Sequence, residues 1–399
     1  MVEYRPFPDE RREEFSRLLS YAFSPEDGPY DSDEGDELPP QARLGENRGL
    51  FEESEPVSVC RHYYFDTYVR GSNVKMAGLS AVATPPEHRR RGLIRRLLRE
   101  SLKEYRDRGA VISSLWPFST PFYAQFGWAT AARVATQTAA PSTFRIDESD
   151  DANRRFYRAS EDDWRSLDTV LETHANDYEL AIDRTESWWR NRAFHRWDFD
   201  PYVYVVERDG EPVGYVVYSV TADGDEKELR VWDMAFVDPS AHRAVLRFVA
   251  DHDSQVSSVR ITGPPGEVVL DQVDDPASLD LEIEAGPMVR LVDLEPALEA
   301  ISYPRSLSGR VTVAVDDPLV DWNDGRFALS FEVGRVTVEA TDSSPAVELG
   351  VGALSQLFVG YRSFSDLWAA NEVTVTDTAG AELLATAFPE SAVYLREGF

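Results

Sequence analysis

The sequence predicts an α/β chain, turning α+β toward its end, in three consecutive parts. Three observations carry this. In residues 1–140 strand-like stretches surround a helix with a 3.6-residue apolar stripe, and the order of strands and helices recurs in 141–286. After Gly286-Pro287, short alternating strands are followed by two helical stretches. The length, 399 residues, suits two to four domains of roughly 100–200 residues each.

The elements follow in order. Residues 1–18 read as a short strand and a helix. Residues 22–56, rich in Asp, Glu, Gly and Pro, read as a long loop. Val57–Val69 and Asn73–Ala83 are strands, the second stopped by Pro85-Pro86. Gly92–Arg108 is a helix with Leu93, Ile94, Leu97, Leu98, Leu102 and Tyr105 on one face, closed by Gly109. Ala110–Trp116 is a strand. Ser119-Thr120-Pro121 opens a helix with a hydroxyl and an early proline. Pro141–Asp151 is a polar connector. In the second part, Glu161–Asn176 is helical, Tyr202–Glu207 and Val213–Val220 form a hairpin over Asp209-Gly210, Leu229–Phe236 is a strand and His242–His252 a helix. This order echoes the first part, as an internal duplication would. The third part has strands at Met288–Leu294, Arg310–Val315, Phe327–Glu332 and Arg335–Glu339, then helices at Val351–Val359 and Phe364–Ala370.

Composition narrows the function. Lys+Arg is 41 and Asp+Glu is 71, a net charge of −30. With 42% hydrophobic and 12% aromatic residues, the chain builds real cores and is not a disordered acidic protein. The charge argues against general nucleic-acid binding. No apolar run is long enough to span a membrane, and no secretory leader opens the sequence, so a cytoplasmic protein with no membrane partner is expected. Cys60, the single cysteine, excludes an intramolecular disulfide, and the six histidines show no metal-ligand spacing. Only Lys75, Lys103 and Lys227 are lysines. An acidic, lysine-poor surface is what proteins of salt-accumulating cells carry; a surface built to attract cationic substrates is the rival reading. Loss of folding is expected below about 0.5 M salt, where screening loosens past about 4 Å.

The segment that carries chemistry runs from Leu79 to Arg96. A strand ends near Ala83, and a loop of Arg89, Arg90, Arg91 and Gly92 leads straight into a helix. N–H groups at a helix start are unpaired and lie at the positive end of the dipole. Gly92 allows close backbone approach, and the arginines offer charge-assisted bonds to phosphate oxygens. In a chain of −30, five arginines at 89–91 and 95–96 locally invert the charge. Such a turn can hold a pyrophosphate; a solvated basic helix start is the alternative.

This segment resembles the acetyl-CoA loop of the GNAT N-acetyltransferases, Arg/Gln-x-x-Gly-x-Gly/Ala. Arg89-x-x-Gly92 fits, whereas Ile94 departs from the last position. That departure is similar to the Eis (enhanced intracellular survival) subfamily, in which Arg-Arg-Arg-Gly is followed by two apolar residues and an arginine. Tyr123-Ala-Gln-Phe126-Gly127-Trp128, Pro287-Met-Val-Arg-Leu-Val-Asp293 and the terminal Phe399 also resemble Eis proteins, so the likeness spans nearly the whole chain. It implies two tandem GNAT-type domains, 1–140 and 141–286, the second degenerate, and a domain like sterol carrier protein type 2 at 287–399. It also implies a homo-oligomer, trimer or hexamer, and a small-molecule or peptide amine as substrate.

Acetyl transfer to an amine requires that an ammonium lose a proton, a thioester carbonyl be polarised and a thiolate be protonated. The resemblance implies acetyl-CoA as co-substrate and Tyr123 as general acid; packing like its neighbours Phe122 and Phe126 is the alternative. It implies the α-carboxylate of Phe399 as general base, with the ring as an anchor. A terminus merely tucked against its own domain, or Glu397 as the carboxylate, are the alternatives. The GNAT pattern puts Val82, Ala83 and Thr84 along the pantetheine arm, with an oxyanion hole from N–H groups near Val82 and Thr84. Arg89, Arg90, Arg91, Gly92 and Ile94 complete the cofactor-binding set. Ser119 either caps its helix, the better reading, or approaches the coenzyme. The acidic run Glu26–Asp36 either lines an amine cleft or is a solvated loop, the latter being the better reading. A non-catalytic rival is a CoA sensor or lipid carrier that uses the C-terminal domain.

Overall fold

The computed structural model describes residues 2–28, 39–146, 154–197, 199–224 and 226–399, so the acidic stretch from Asp31 to Asp36 lies outside the described residues. Two units result. One comprises residues 1–38, 45–132 and 287–399; the other comprises 39–44 and 133–286.

In the first unit, β1 (Val2–Pro6) is followed by α1 (Arg12–Phe23), then β2 (Glu46–Glu52), β3 (Glu55–Val69) and β4 (Ser72–Ala83). These four strands form an antiparallel run. The β3–β4 turn holds Arg70 and Gly71 at φ 49° and 71°, the paired left-handed geometry of a tight hairpin. β2 falls inside the stretch read as loop. Its Glu, Asn, Arg and Gly hide the strand, but the fully buried Leu50 and Phe51 and pairing on both edges hold it in the sheet. Helix α2 (Leu93–Asp107) carries the chain across to β5 (Ile112–Leu115), parallel to β4. Its predicted stripe is its buried face: Leu93, Leu97, Leu98, Leu102 and Tyr105 pack on the sheet with Cys60, Ala77 and Leu79. α1 covers the other face, where Phe15 joins Phe7, Phe51 and Val59. The short helix α3 (Thr120–Ala124) and strand β6 (Ala129–Thr130) follow.

The chain then supplies the second unit. β7 (Arg133–Ala139) precedes β8 (Arg154–Arg158), α4 (Trp164–Ala175), β9 (Tyr202–Arg208), β10 (Glu211–Asp223) and β11 (Glu226–Phe236). After α5 (Pro239–Ala250) come β12 (Ser258–Gly263) and β13 (Asp280–Ala285). The strand order is β13-β7-β12-β11-β10-β9-β8, with only β11 and β12 parallel. Asp209 and Gly210, at φ 55° and 88°, make the predicted β9–β10 turn.

The chain returns as β14 (Met288–Leu291), which lies between β5 and β6, so the first sheet runs β1-β2-β3-β4-β5-β14-β6. Both sheets therefore repeat one plan: four antiparallel strands, a helical crossover to a parallel fifth, then two antiparallel strands. The sixth place is filled reciprocally. β7, met before the second repeat, serves the second sheet, and β14, met after it, serves the first. The rest of the first unit holds α6 (Leu294–Ala300), β15 (Gly309–Asp316), β16 (Gly325–Glu332), β17 (Arg335–Ala340) and β18 (Val347–Gly350). Helices α7 (Val351–Val359) and α8 (Phe364–Ala369), strand β19 (Val373–Val375) and helix α9 (Thr378–Ala387) complete it. These strands form a five-stranded sheet, β17-β16-β15-β18-β19. Among the described residues, no helix is long and apolar enough to cross a membrane.

Candidate active site

The site begins where two parallel strands part. β4 and β5 pair over Met76–Gly78 and Ile112–Ser114. Beyond Gly78, β4 stays with β3, while β5 pairs with β14 on its other edge. β4 also bulges there. Val59 faces Ala83 and Arg61 faces Ser80, so Ala81 and Val82 oppose Cys60 alone. Ala81 takes up the extra residue at φ 53°, a left-handed conformation. A bulge turns peptide groups off the ladder, which frees them for a guest in the cleft. Val82 is half-buried on the α2 side, and Ala83 is buried on the α1 side. Thr84 holds the strand end: its Oγ1 lies 2.9 Å from Ser58 Oγ, and its carbonyl accepts from Arg89 Nε at 3.2 Å.

The arginine loop follows. Arg90 and Gly92 both have positive φ, 58° and 74°, an alternation that folds N–H groups toward one concavity. Gly92 is the N-cap of α2 and supplies no side-chain cap, so the first-turn N–H groups stay available to an anion. A Cβ on Gly92 would meet nothing within 4 Å, so the approach is open. The five arginines are not equivalent. Arg91 pairs with Glu52 at 2.9 Å. Arg95 donates to the Pro318 carbonyl at 2.8 Å, and Arg96 to that of Val2. Arg90 is exposed and makes no ion pair among the described residues. Ile94 is half-buried against the α2-side core.

Tyr123 sits in α3, buried in the same core as Cys60, Leu79 and Leu97. Its ring meets Phe118, Phe122 and Trp128 at centroid distances of 5.7, 5.1 and 6.4 Å, all edge-on. Burial, with a smaller push from Cys60, raises its phenol well above the ordinary tyrosine range, so it holds its proton at neutral pH. The same surroundings push the Cys60 thiol up to about 12, chiefly by burial. Ser119 occupies the N-cap of α3, but its hydroxyl makes no capping bond, contrary to the reading from sequence.

Residues 397–399 reach the place where β4 and β5 part. Trp116, just past β5, donates its indole N–H to the Glu397 carbonyl at 2.8 Å. The half-buried Phe399 ring lies 5.4 Å from Tyr63 and 5.2 Å from Phe65. Its floor is Gly78, the last β4 residue paired with β5. The tail is held further back by Arg70, whose guanidinium donates to the carbonyls of Leu357, Phe358 and Pro389 at 2.8–2.9 Å.

Sequence reasoning named the arginine loop, Tyr123 and Phe399; in the first unit the loop follows β4, Tyr123 packs in the core under α2, and Phe399 seats at Gly78. It missed Gly78, whose signal was a glycine inside a strand, and Trp116. It also missed a buried polar network beneath the sheet, on the α2 side. His62, fully buried, meets Ser101 Oγ at 3.0 Å, and Glu104 accepts from Tyr4 at 2.6 Å and from Arg48. Burial drives His62 down to about 3, outweighing Glu104. Glu104 is raised by its own burial but held at about 2 by Arg48 and Tyr4.

Comparison with known proteins agrees with this architecture. Residues 3–131 and 180–291 each match an acetyltransferase (GNAT) domain family, and residues 294–396 match a sterol carrier protein domain. The chain is 28% identical over 342 residues to an uncharacterized N-acetyltransferase of Streptomyces avermitilis, covering 82% of this chain and 83% of that one. It is 28% identical over 334 residues to N-acetyltransferase Eis of Mycobacterium tuberculosis, covering 78% and 77%. Among solved structures, a GCN5-related N-acetyltransferase from Anabaena variabilis matches with TM-score 0.83 at 20% identity, over 100% of both chains. Eis1 from Mycobacterium abscessus matches with TM-score 0.80 at 22%, also over 100% of both. These two likenesses concern the fold.

Proposed function

We propose that this chain, an acetyltransferase with two GNAT domains and a sterol carrier protein domain, moves an acetyl group from acetyl-CoA to a primary amine of an aminoglycoside-like molecule, a polyamine or a lysine. The observation that carries the reading is the seat of Phe399 at Gly78, where β4 and β5 part. In this reading the α-carboxylate of Phe399 serves as the base, so no side chain need supply one.

In this mechanism the pyrophosphate lies on the N-terminus of α2, under Arg90 and beside Gly92. Arg89 and Arg91 act as braces, bonded to Thr84 and Glu52. The pantetheine arm extends β4 along Val82, Ala83 and Thr84. The Phe399 carboxylate takes the ammonium proton, directly or through water, and the freed nitrogen attacks the thioester carbonyl. Backbone N–H groups at the bulge, near Val82 and Thr84, meet the charge on the carbonyl oxygen. The C–S bond breaks, the thiolate takes the Tyr123 proton, and the extra proton on the new amide nitrogen passes to the tyrosinate, directly or through water, leaving a neutral amide, a thiol and a restored phenol. Burial keeps the proton on the phenol until the thiolate forms.

The acidic, lysine-poor composition supports work in concentrated salt, in the cytoplasm of a salt-accumulating cell. A homo-oligomer, trimer or hexamer, is part of the same reading, and light scattering in molar KCl measures it. The deciding test is thiol release from acetyl-CoA in molar KCl against polyamines, aminoglycosides and lysine peptides. Tyr123→Phe and a chain lacking Phe399 are each expected to lose about 10²–10⁴-fold in kcat while still binding acetyl-CoA. Binding without turnover on any amine would replace the enzyme with a CoA sensor or lipid carrier.

A further inference from the structure

Resting on the reading of Tyr123 as general acid, we infer that Arg290 is a positioning residue for that tyrosine, with a counter-ion, Asp317, supplied by the sterol carrier protein domain. Helix α3 is five residues long and has no side-chain N-cap, so it cannot hold Tyr123 by its own hydrogen bonds. Its far end is a tight turn. The Tyr123 carbonyl accepts from the N–H groups of Phe126 at 3.0 Å and Trp128 at 3.3 Å. The Phe126 carbonyl in that turn accepts from Arg290 Nη1. Arg290 lies in β14, is fully buried and passes 5.3 Å from the centre of the Trp128 ring. Its Nη2 donates to Asp317.

The turn is shaped around this guanidinium. Gly127 has φ +88°, and a Cβ there would fall 2.0 Å from Arg290 Nη1. Asp317 is fixed in turn: its other oxygen accepts from the N–H groups of Leu319 at 2.9 Å and Val320 at 3.1 Å, residues that pack in the core of Tyr123. The path from one domain to the phenol is therefore Asp317, Arg290, the Phe126 carbonyl and the Tyr123 backbone. A guanidinium serves here because its planar fork meets a carbonyl and a carboxylate together; an ammonium has no such fork.

The test is a double-mutant cycle on kcat in molar KCl, pairing Arg290→Lys with Tyr123→Phe, with melting curves to establish folding. Arg290→Lys is expected to lower kcat ten- to hundredfold and to leave KM for acetyl-CoA within threefold. In the Tyr123→Phe background it is expected to lower kcat less than twofold, since the group it positions is gone. An equal loss in both backgrounds would overturn the inference and make Arg290 structural. No loss of kcat in Tyr123→Phe itself would overturn the acid reading instead. If Arg290→Lys does not fold, Asp317→Asn takes its place in the same cycle with the same two outcomes.

Discussion

The ring of Phe399 fills the space a side chain would need at Gly78: a Cβ there would lie 2.7 Å from its Cε2 and 2.9 Å from its Cζ. Phe65 Cε2 closes the other side at 2.9 Å. Gly78→Ala must therefore move a ring, that of Phe399 or that of Phe65. A catalytic carboxylate displaced by about 1 Å costs on the order of a hundredfold. Gly78→Ala is expected to lower kcat tenfold or more and to leave acetyl-CoA binding within threefold. One alanine added after Phe399 keeps the ring but moves the carboxylate, and is expected to do the same. Unchanged kcat in both variants would remove the chain end from the mechanism.

The two crossover helices differ where an anion would sit. Asp238 caps α5, accepting from the Ala241 N–H at 2.8 Å, and pairs with Arg208 at 2.7 Å. A carboxylate already holds that N-terminus, whereas Gly92 leaves that of α2 open. Equilibrium dialysis is expected to find one acetyl-CoA per chain. Gly92→Ala forces a Cβ onto a residue at φ +74°, at a cost of about 1–2 kcal/mol. It is expected to weaken acetyl-CoA binding five- to thirtyfold with little change in kcat. Two molecules bound per chain would reopen the second unit as a site.

His62 is expected to make the protein acid-sensitive. In the fold it stays neutral down to about 3, because burial excludes the charged ring. Unfolded, it binds a proton below its ordinary value near 6.5. Between those limits the unfolded chain holds the extra proton, so stability falls as pH falls. At full extent the loss is about 5 kcal/mol. Glu104, held at about 2, adds loss in the same direction below its ordinary value near 4.3. His62→Gln keeps a polar partner for Ser101 but removes the titration. Its acid-unfolding midpoint, followed by tryptophan fluorescence in molar KCl, is expected to lie about half a pH unit or more below that of the parent. An unmoved midpoint would show that the acid transition belongs to other groups.

What was legible in the sequence was local. The stripe of α2, the proline after β4 and the Arg-Arg-Arg-Gly turn are patterns of neighbouring residues, and the fold keeps each of them. The strand exchange was not legible. Met288–Leu291 reads as a strand, but nothing in it says that its edges meet Ile112–Leu115 and Ala129–Thr130. β2 was lost because its place comes from β1 and β3, not from alternation of its own. The bulge at Ala81 was hidden for the same reason. A positive φ on an alanine is imposed by the register of β3. Gly78 and Trp116 became site residues only when the far end of the chain arrived beside them.

Salt dependence is expected from the balance of charge. Ion pairs are many, as where Arg108 meets Glu46 and Arg190 meets Glu186, both at 2.8 Å. Exposed pairs of this kind contribute about 0–1 kcal/mol each, and salt weakens them. Were attraction dominant, salt would destabilise the protein. With 71 acidic residues against 41 basic, however, repulsion is left over after every pair is made. Screening reaches about 3 Å at 1 M and about 10 Å at 0.1 M, so dilution extends that repulsion across many neighbouring carboxylates. The far-ultraviolet circular-dichroism signal is expected to fall on dialysis below about 0.5 M KCl and to return when salt is restored. An intact signal and an unchanged melting temperature at 0.05 M would mean that the buried cores outweigh the repulsion. The acidic surface would then serve solubility alone.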